Sequence, residues 1–500
     1  MNERQHYRSI IQAISLVGAG SLVVLLCNLV RTKALALFLG PAGVGLAGLY
    51  ATLLAPLTIL SGLGMEISGV RQLAAAEGQW DGARGGVLAQ VMLRLGWLTG
   101  MGGGLITTVL ALPLSRWTFQ SDRHAPAIAC LGLAVLCGNL VAFHSGVLQG
   151  SRRLGSLVRL NIWCALGGTL FSIPCYYLFG VRGIVPALLL TSFWSAFVSW
   201  LLVRHAPVVA AGDAPVRLRA EARGLLRLGL PLMATALMGA CVTYAARQIV
   251  LRQFGLDGVG LWVAAFNISG VLVGFVLAAM GTDYFPRLTG LVHSAPEVSR
   301  TVNTQVEIAL CLALPALLAT LLFAPLGIKL LYSNQFNAAI PVLRWSVFGM
   351  FLRVVTWPLG FVILAQGRGG LYFLNDLYVH VIYLAALVLG GRAWGLAGLG
   401  IAGLLQYVGY LFFILPVAWL IARAAWSRSN CLRIVLAALL LAAAACLSRW
   451  ERHPLLFNGI GVLAVAGAGA WAALNLSRKT GLTLFGLLSK GLGGLRSLAG

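Results

Sequence analysis

Two cations, Arg31 and Lys33, lie inside a long apolar run that begins near Ile10. Gly40 and Pro41 interrupt the run nine residues after Arg31, which is roughly 13 Å along a helix. The half-thickness of a bilayer core is about 15 Å, so Arg31 is predicted near the centre of a membrane. A guanidinium at that depth is costly and should face a bundle interior or a wet cavity, where it can bind an anion.

Further cations and polar residues extend this pattern. Asn28 and Arg31 are three residues apart and share a helix face. Tyr244 and Arg247 repeat that spacing in the second half of the chain, ahead of another glycine break at Gly255. Two more arginines lie in a later apolar run. The predicted cationic site comprises Asn28, Arg31, Lys33, Tyr244, Arg247, Arg344 and Arg353.

The chemistry predicted for these cations is anion binding without catalysis. Guanidinium groups pair bidentately with phosphate oxygens, so a cationic cleft suits a diphosphate that joins a lipid to a sugar chain. Carrying that head group across a membrane breaks no bond, and the sequence contains no Walker A, HExxH or GxSxG pattern. The GxGxxG matches at 43–48 and 398–403 begin predicted spans, so we interpret them as close helix packing. The sequence predicts no enzyme, cofactor or metal site.

Acidic residues inside the spans have two open interpretations. Asp376 and Glu307 are candidates for a proton that couples transport to an ion gradient. A structural salt bridge with an arginine explains a buried carboxylate equally well. His380 is interpreted as a satisfied interior histidine, and Trp357 fits interface anchoring.

The composition defines the class of protein. The 500 residues are 59% hydrophobic and 10% charged, with a mean hydropathy of +0.90, whereas soluble domains carry about 25% charged residues. The formal charge of +23 is attributed to basic cytoplasmic loops, not to nucleic-acid binding. These features predict an all-α polytopic membrane protein with about fourteen spans. An even number of spans places both termini on one side, and the bias of loop Lys and Arg makes that side cytoplasmic.

Three glycine motifs recur at a nearly constant shift. The motif at 40–46 returns at 255–261, 180–183 returns at 395–398, and the Gln-Gly pair at 149–150 returns at 366–367. The repeat predicts two six-helix lobes of the same orientation, related in parallel, with a C-terminal helix pair outside them. The predicted domains are an N-terminal lobe (1–204), a cytoplasmic linker (205–224), a C-terminal lobe (225–424) and the extra pair with a basic tail (425–500).

The residues around the first break carry a family resemblance. Arg-Thr-Lys-Ala-Leu-Ala-Leu-Phe-Leu-Gly-Pro-Ala-Gly-Val-Gly-Leu at 31–46, followed by Ser-Gly-Leu-Gly at 61–64, resembles the start of bacterial polysaccharide flippases of the O-antigen and enterobacterial-common-antigen type. These belong to the multidrug/oligosaccharidyl-lipid/polysaccharide exporter superfamily. The likeness is clearest over 20–75, and the two-lobe layout extends it to about residue 424.

The resemblance implies a function for the predicted cavity. It implies alternating access by two bundles around a cationic cavity that carries an undecaprenyl-diphosphate-linked oligosaccharide across the bacterial inner membrane, for surface polysaccharide biosynthesis. Arg31, Lys33 and Arg247 match the cations typical of the first helix of each lobe. The implied partners are the lipid-linked cargo, membrane lipid and a polysaccharide polymerase or chain-length regulator.

Three alternatives remain at this point. A cation-coupled multidrug antiporter should line its cavity with acids, and Asp376 is its main support. A lipid II flippase is similar in having two extra spans at the C-terminus. A scaffold or polymerase subunit for glycan assembly should carry a large polar outer loop, and the predicted outer loops are short.

Overall fold

The computed structural model describes residues 3–78, 82–204, 215–448 and 454–480, and over these ranges the regular structure is helical, without strands. Three short 3-10 helices, Asp122–His124, Gly180–Gly183 and Asn334–Ala339, connect longer elements. The predicted all-α class is confirmed. The α-helices are α1 (Glu3–Gly62), α2 (Met65–Gly78), α3 (Gly82–Val109), α4 (Ala111–Phe119), α5 (Ala125–Gly150), α6 (Leu154–Phe179), α7 (Ile184–Arg204), α8 (Pro215–Gly290), α9 (Ala295–Leu322), α10 (Ala324–Leu331), α11 (Ile340–Ala365), α12 (Gly369–Ala422), α13 (Arg428–Leu447) and α14 (Pro454–Thr480).

Eight helical segments in the described ranges are long and apolar enough to cross a membrane, and α3 with α4, bent by 61°, makes a ninth. Four of the eight run for 43 to 54 residues, about twice the length that a bilayer needs, and each has a break within it. Counting those four as two spans each, together with the shorter apolar helix Gly459–Asn475, gives the fourteen spans that were predicted.

The breaks recur in both halves with the same backbone geometry. Gly40 has φ 64° and ψ −167°, and Gly255 has φ 68° and ψ −170°. Gly180 has φ 57° and ψ −135°, and Gly395 has φ 57° and ψ −142°. Residues with side chains rarely adopt these angles. The predicted recurrence of these two breaks at one constant shift is therefore confirmed.

The third recurrence has a different register from the one expected. Arg152 and Gly367 have positive φ values of 54° and 69°, and α6 and α12 begin two residues after them. The shift from Arg152 to Gly367 equals the shift from Gly40 to Gly255. The Gln-Gly pairs at 149–150 and 366–367 are thus displaced by two residues from the structural equivalence, because the helix boundary follows the positive-φ residue and not the dipeptide.

The chain divides into two compact units, Met1–Tyr244 and Ala245–Lys490. In the first, α1 packs on α6, and α5 packs on α3 and α7. In the second, α11 packs on α12 and α9, while α13 and α14 both lie against α9. The predicted lobe limits and linker stay a prediction, since 205–214 lies outside the described residues, as does the tail after 480.

Candidate substrate site

Arg31 is held between two helices of the first unit. Its Nη2 atom donates a hydrogen bond to Oδ1 of Asn28, 3.1 Å away on the same face of α1. Gly168 of α6 lies against the same guanidinium, and a β-carbon there would be only 3.2 Å from Nη1 of Arg31. The missing side chain at Gly168 makes room for the guanidinium.

A cavity of about 710 Å³ opens beside Arg31. Its wall is built from α1, α5, α6 and α7, and Arg31 is the charged residue among the described residues that line it. Lys33 is half-buried and is not part of this lining. The cavity therefore presents one cation and several neutral hydrogen-bonding groups. The polar lining consists of Ser21, Asn28, Arg31, Asn161, Thr191, Ser192 and Ser195.

Tyr244 and Arg247 lie in α8, ahead of its break at Gly255. The hydroxyl of buried Tyr244 shares a 2.7 Å hydrogen bond with that of Thr118 in α4. Arg247 is half-buried. The hydrogen bond to α4 joins residues 126 positions apart, so the three-residue spacing does not predict it.

A second cavity, of about 410 Å³, lies between α11 and α12 in the second unit. Arg353 and Asp376 both line it, so two of the predicted site residues meet here. Nδ1 of His380 lies 2.6 Å from the backbone oxygen of Asp376 and 3.7 Å from its Oδ1. Arg344 is half-buried elsewhere on α11 and does not line this cavity.

Glu307 lies in a different environment from Asp376. Its Oε1 is 2.9 Å from Nη1 of Arg433 in α13, and the same nitrogen donates to Oδ1 of Asn430 at 3.1 Å. Asn430 in turn donates to both the backbone and side-chain oxygens of Asn303. Glu307 therefore belongs to a polar cluster that ties α13 to α9.

Several lining residues of the second cavity were not singled out from the sequence. Tyr372, Asn375, Gln406 and Tyr410 join the predicted residues there, and so does Trp357, which had been interpreted as an interface anchor. The signal was present in α12, where polar and aromatic residues recur three and four positions apart. This recurrence alone could not identify a cavity, because it does not show that α11 packs against that face of α12.

Glu66 is a half-buried acid outside the candidate spans. It lies in the first turn of α2, and its Oε2 atom is buried with no hydrogen-bond partner among the described residues. Burial raises the pKa of the Glu66 carboxyl, and a hydrogen bond to its own backbone opposes part of this effect. The carboxylate form is thus disfavoured in the folded protein.

Long broken helices, repeated breaks and polar cavities inside each unit define a multi-pass membrane protein with a transporter fold. Among solved structures, the chain is similar to an inward-facing multidrug resistance MATE family transporter of the MOP superfamily, with a TM-score of 0.66, 16% identity and coverage of 85% of this chain and 99% of that one. It is also similar to the lipid II flippase MurJ in an inward closed conformation, with a TM-score of 0.58, 11% identity and coverage of 87% and 99%.

Sequence comparison defines the family. The chain is 24% identical over 377 residues to the lipid III flippase of Escherichia coli (strain K12), covering 74% of this chain and 88% of that protein. It is 22% identical over 197 residues to the lipopolysaccharide biosynthesis protein WzxC of the same strain, covering 38% and 40%. The model of a family described as polysaccharide biosynthesis protein matches residues 34–341. The chain belongs to this family, which confirms the predicted resemblance; its relatives are flippases and transporters, not enzymes.

Proposed function

We propose that this chain is a flippase that moves an undecaprenyl-diphosphate-linked oligosaccharide from the cytoplasmic to the outer leaflet of the bacterial inner membrane, for surface polysaccharide biosynthesis. Both termini lie in the cytoplasm, as the bias of loop cations favours. The cargo passes by alternating access of two lobes, 1–204 and 225–424. The curated relatives named above, a lipid III flippase and a lipopolysaccharide biosynthesis protein, support the proposal.

The observation that carries the proposal is Arg31. It is placed by Asn28 and Gly168 beside a 710 Å³ cavity in which it is the charged lining residue. Burying a guanidinium within a membrane protein carries a free-energy cost. A diphosphate offsets that cost because its oxygens accept paired hydrogen bonds from the guanidinium. In this role Arg31 binds the head group, and the neutral polar lining replaces part of its hydration.

The other predicted site residues have supporting roles in the proposal. Lys33, Arg247 and Arg344 add positive charge along the route of the head group, and Arg353 supplies a cation in the second cavity. Asp376 is the better candidate for a coupling acid, since it lines an open cavity, whereas Glu307 is engaged by Arg433. A polysaccharide polymerase or chain-length regulator would receive the cargo on the outer side.

A drug antiporter is the alternative that the MATE-like fold raises. Cationic drugs need acidic lining, and the charged residue described in the 710 Å³ cavity is an arginine. The charge therefore favours an anionic cargo, and the fold likeness alone does not discriminate between the two.

The test compares Arg31→Gln with Arg31→Lys and a matched control, Arg159→Gln. Arg159 is exposed on α6 and bonds only locally, to Gly155 and Ser156, among the contacts described. Transport of lipid-linked oligosaccharide is measured in proteoliposomes, alongside surface glycan in a deletion strain. We expect Arg31→Gln to reduce the transport rate at least tenfold, equivalent to about 1.4 kcal/mol. Arg31→Lys should be partly active, and the rate of the control should be unchanged. Full activity of Arg31→Gln at normal protein level would contradict the proposal.

A further inference from the structure

We propose that the second cavity, about 410 Å³ in volume between α11 and α12, is a glycan subsite that binds a pyranose ring of the transported oligosaccharide. The inference rests on the proposed function and names the part of the cargo that this second cavity takes. The volume falls in the range of small-ligand sites, about 300–1,000 Å³. Because the cavity lies entirely within the second unit, its shape depends only on how that unit packs.

Aromatic rings form one part of its wall. Trp357 and Phe361 of α11 have ring centroids 4.6 Å apart, and Tyr410 of α12 also lines the cavity. Trp357 is backed by the ring of Tyr284, at 5.9 Å, whose hydroxyl donates a 2.8 Å hydrogen bond to the Pro358 oxygen. These rings are therefore held in place. A pyranose has a flat face of C–H groups, and an aromatic ring with a polar tip is suited to pack against it.

The second part of the wall offers planar hydrogen-bonding groups. Asn375 is 5% exposed, and its Oδ1 atom is buried without a hydrogen-bond partner among the described residues. Asn375 and Tyr410 both line the cavity, so the amide lies at its wall. A buried acceptor without a donor is rare in folded proteins. A sugar hydroxyl supplies that donor and can accept from Gln406 or Arg353 in return.

The charge of the cavity favours a neutral ligand. One cation, Arg353, and one acid, Asp376, line it together with His380, whose Nδ1 atom is hydrogen-bonded to the backbone of Asp376. This balance differs from the single arginine of the first cavity and suits neither a diphosphate nor a cationic drug. No group of three potential metal ligands occurs among the described residues. The cavity therefore complements the hydroxyl-rich part of the cargo and not its charged head.

The glycine at 360 explains how the space is maintained. A β-carbon at Gly360 would lie 2.6 Å from the hydroxyl oxygen of Tyr410. The Tyr410 hydroxyl can thus approach α11 only because position 360 has no side chain. The contact between Gly360 and Tyr410 therefore brings α11 and α12 close together at the wall of the cavity.

The experiment measures binding of two probes to full-length protein in nanodiscs: undecaprenyl diphosphate without sugar, and the lipid-linked oligosaccharides extracted from cells that lack the chain. The variants are Asn375→Leu and Tyr410→Phe, with Tyr378→Phe as matched control. Tyr378 is exposed on α12 and packs on Phe413. We expect Asn375→Leu to weaken binding of the lipid-linked oligosaccharides about tenfold and Tyr410→Phe to weaken it severalfold. Both variants should change the affinity for undecaprenyl diphosphate less than twofold.

The outcomes separate the two proposals. If the wild-type chain binds neither probe, the proposed function fails. If the wild-type chain binds both probes, the glycan subsite is tested by the two variants. The subsite proposal is wrong if Asn375→Leu and Tyr410→Phe leave the binding of both probes unchanged, or weaken the binding of both equally. Either result leaves the proposed flippase function intact. Thermal unfolding of each variant identifies a loss of fold, and Tyr410→Phe, which removes a single hydroxyl, keeps the test available if Asn375→Leu unfolds.

Discussion

Gly168 of α6 lies directly against the guanidinium of Arg31 in α1, so that a β-carbon at Gly168 would be 3.2 Å from Nη1. This close approach, together with the hydrogen bond to Asn28, sets the direction of the cation in the first cavity.

The first prediction follows from that contact. Replacing Gly168 with Leu should push the Arg31 side chain away from Asn28 and fill part of the cavity. Transport in proteoliposomes should fall about tenfold, equivalent to about 1.4 kcal/mol. The matched control is Gly102→Leu at an exposed position of α3, where a β-carbon meets no atom within 4 Å. Equal activity of the two leucine variants would show that the Gly168 contact does not matter.

The second prediction concerns the break in α8. Gly255 has φ 68° and ψ −170°, and a β-carbon there would meet no atom within 4 Å. The cost of Gly255→Ala is therefore backbone strain alone, about 1–3 kcal/mol for this region of the Ramachandran plot. Gly274→Ala, in the same helix and also without near atoms, should be neutral or stabilising. A Tm of Gly255→Ala at or above that of Gly274→Ala would refute the assigned strain.

The third prediction compares two ion pairs by their exposure. The Glu307–Arg433 pair is largely buried, with side-chain exposures of 9% and 29%, whereas Arg116 and Asp122 are 64% and 57% exposed. Arg433→Met leaves a buried carboxylate and should destabilise the protein by about 3 kcal/mol. Arg116→Met should change Tm little.

The same pair predicts a rescue. Replacing both Glu307 and Arg433 with Met should recover most of the stability that Arg433→Met loses, since no uncompensated charge remains. Chemical or thermal unfolding in detergent measures all three variants. A double variant as unstable as the single one would mean that the loss comes from the Asn303–Asn430 contacts and not from the charge.

The fourth prediction is a pH dependence from Glu66. Because burial raises the pKa of Glu66 in the folded state, the ionised carboxylate destabilises the fold at pH values above that pKa. Glu66→Gln should therefore raise Tm at mildly alkaline pH, and the difference from wild type should shrink as the pH falls toward the unfolded-state pKa of about 4.3. The exposed Glu297→Gln serves as control. A difference that grows on acidification has the wrong sign for this explanation.

The sequence by itself determined the class, the number of spans and the repeat. Hydropathy and length decide whether a segment can cross a bilayer, and the breaks at Gly40 and Gly255 reflect backbone angles that only glycine adopts readily. Both are local properties, so they could be predicted without knowing the packing. The Asn28–Arg31 hydrogen bond was predictable for the same reason, because three residues separate them on one helix.

Only the tertiary structure decided which side chains meet across helices. The hydroxyl of Tyr244, for example, bonds to that of Thr118 in α4, 126 positions away in the sequence. Asn375 and Trp357 share a cavity because α11 packs on α12. Helical periodicity specifies a face, but the partner of that face depends on the rotation and spacing of the neighbouring helix, which are properties of the packed bundle.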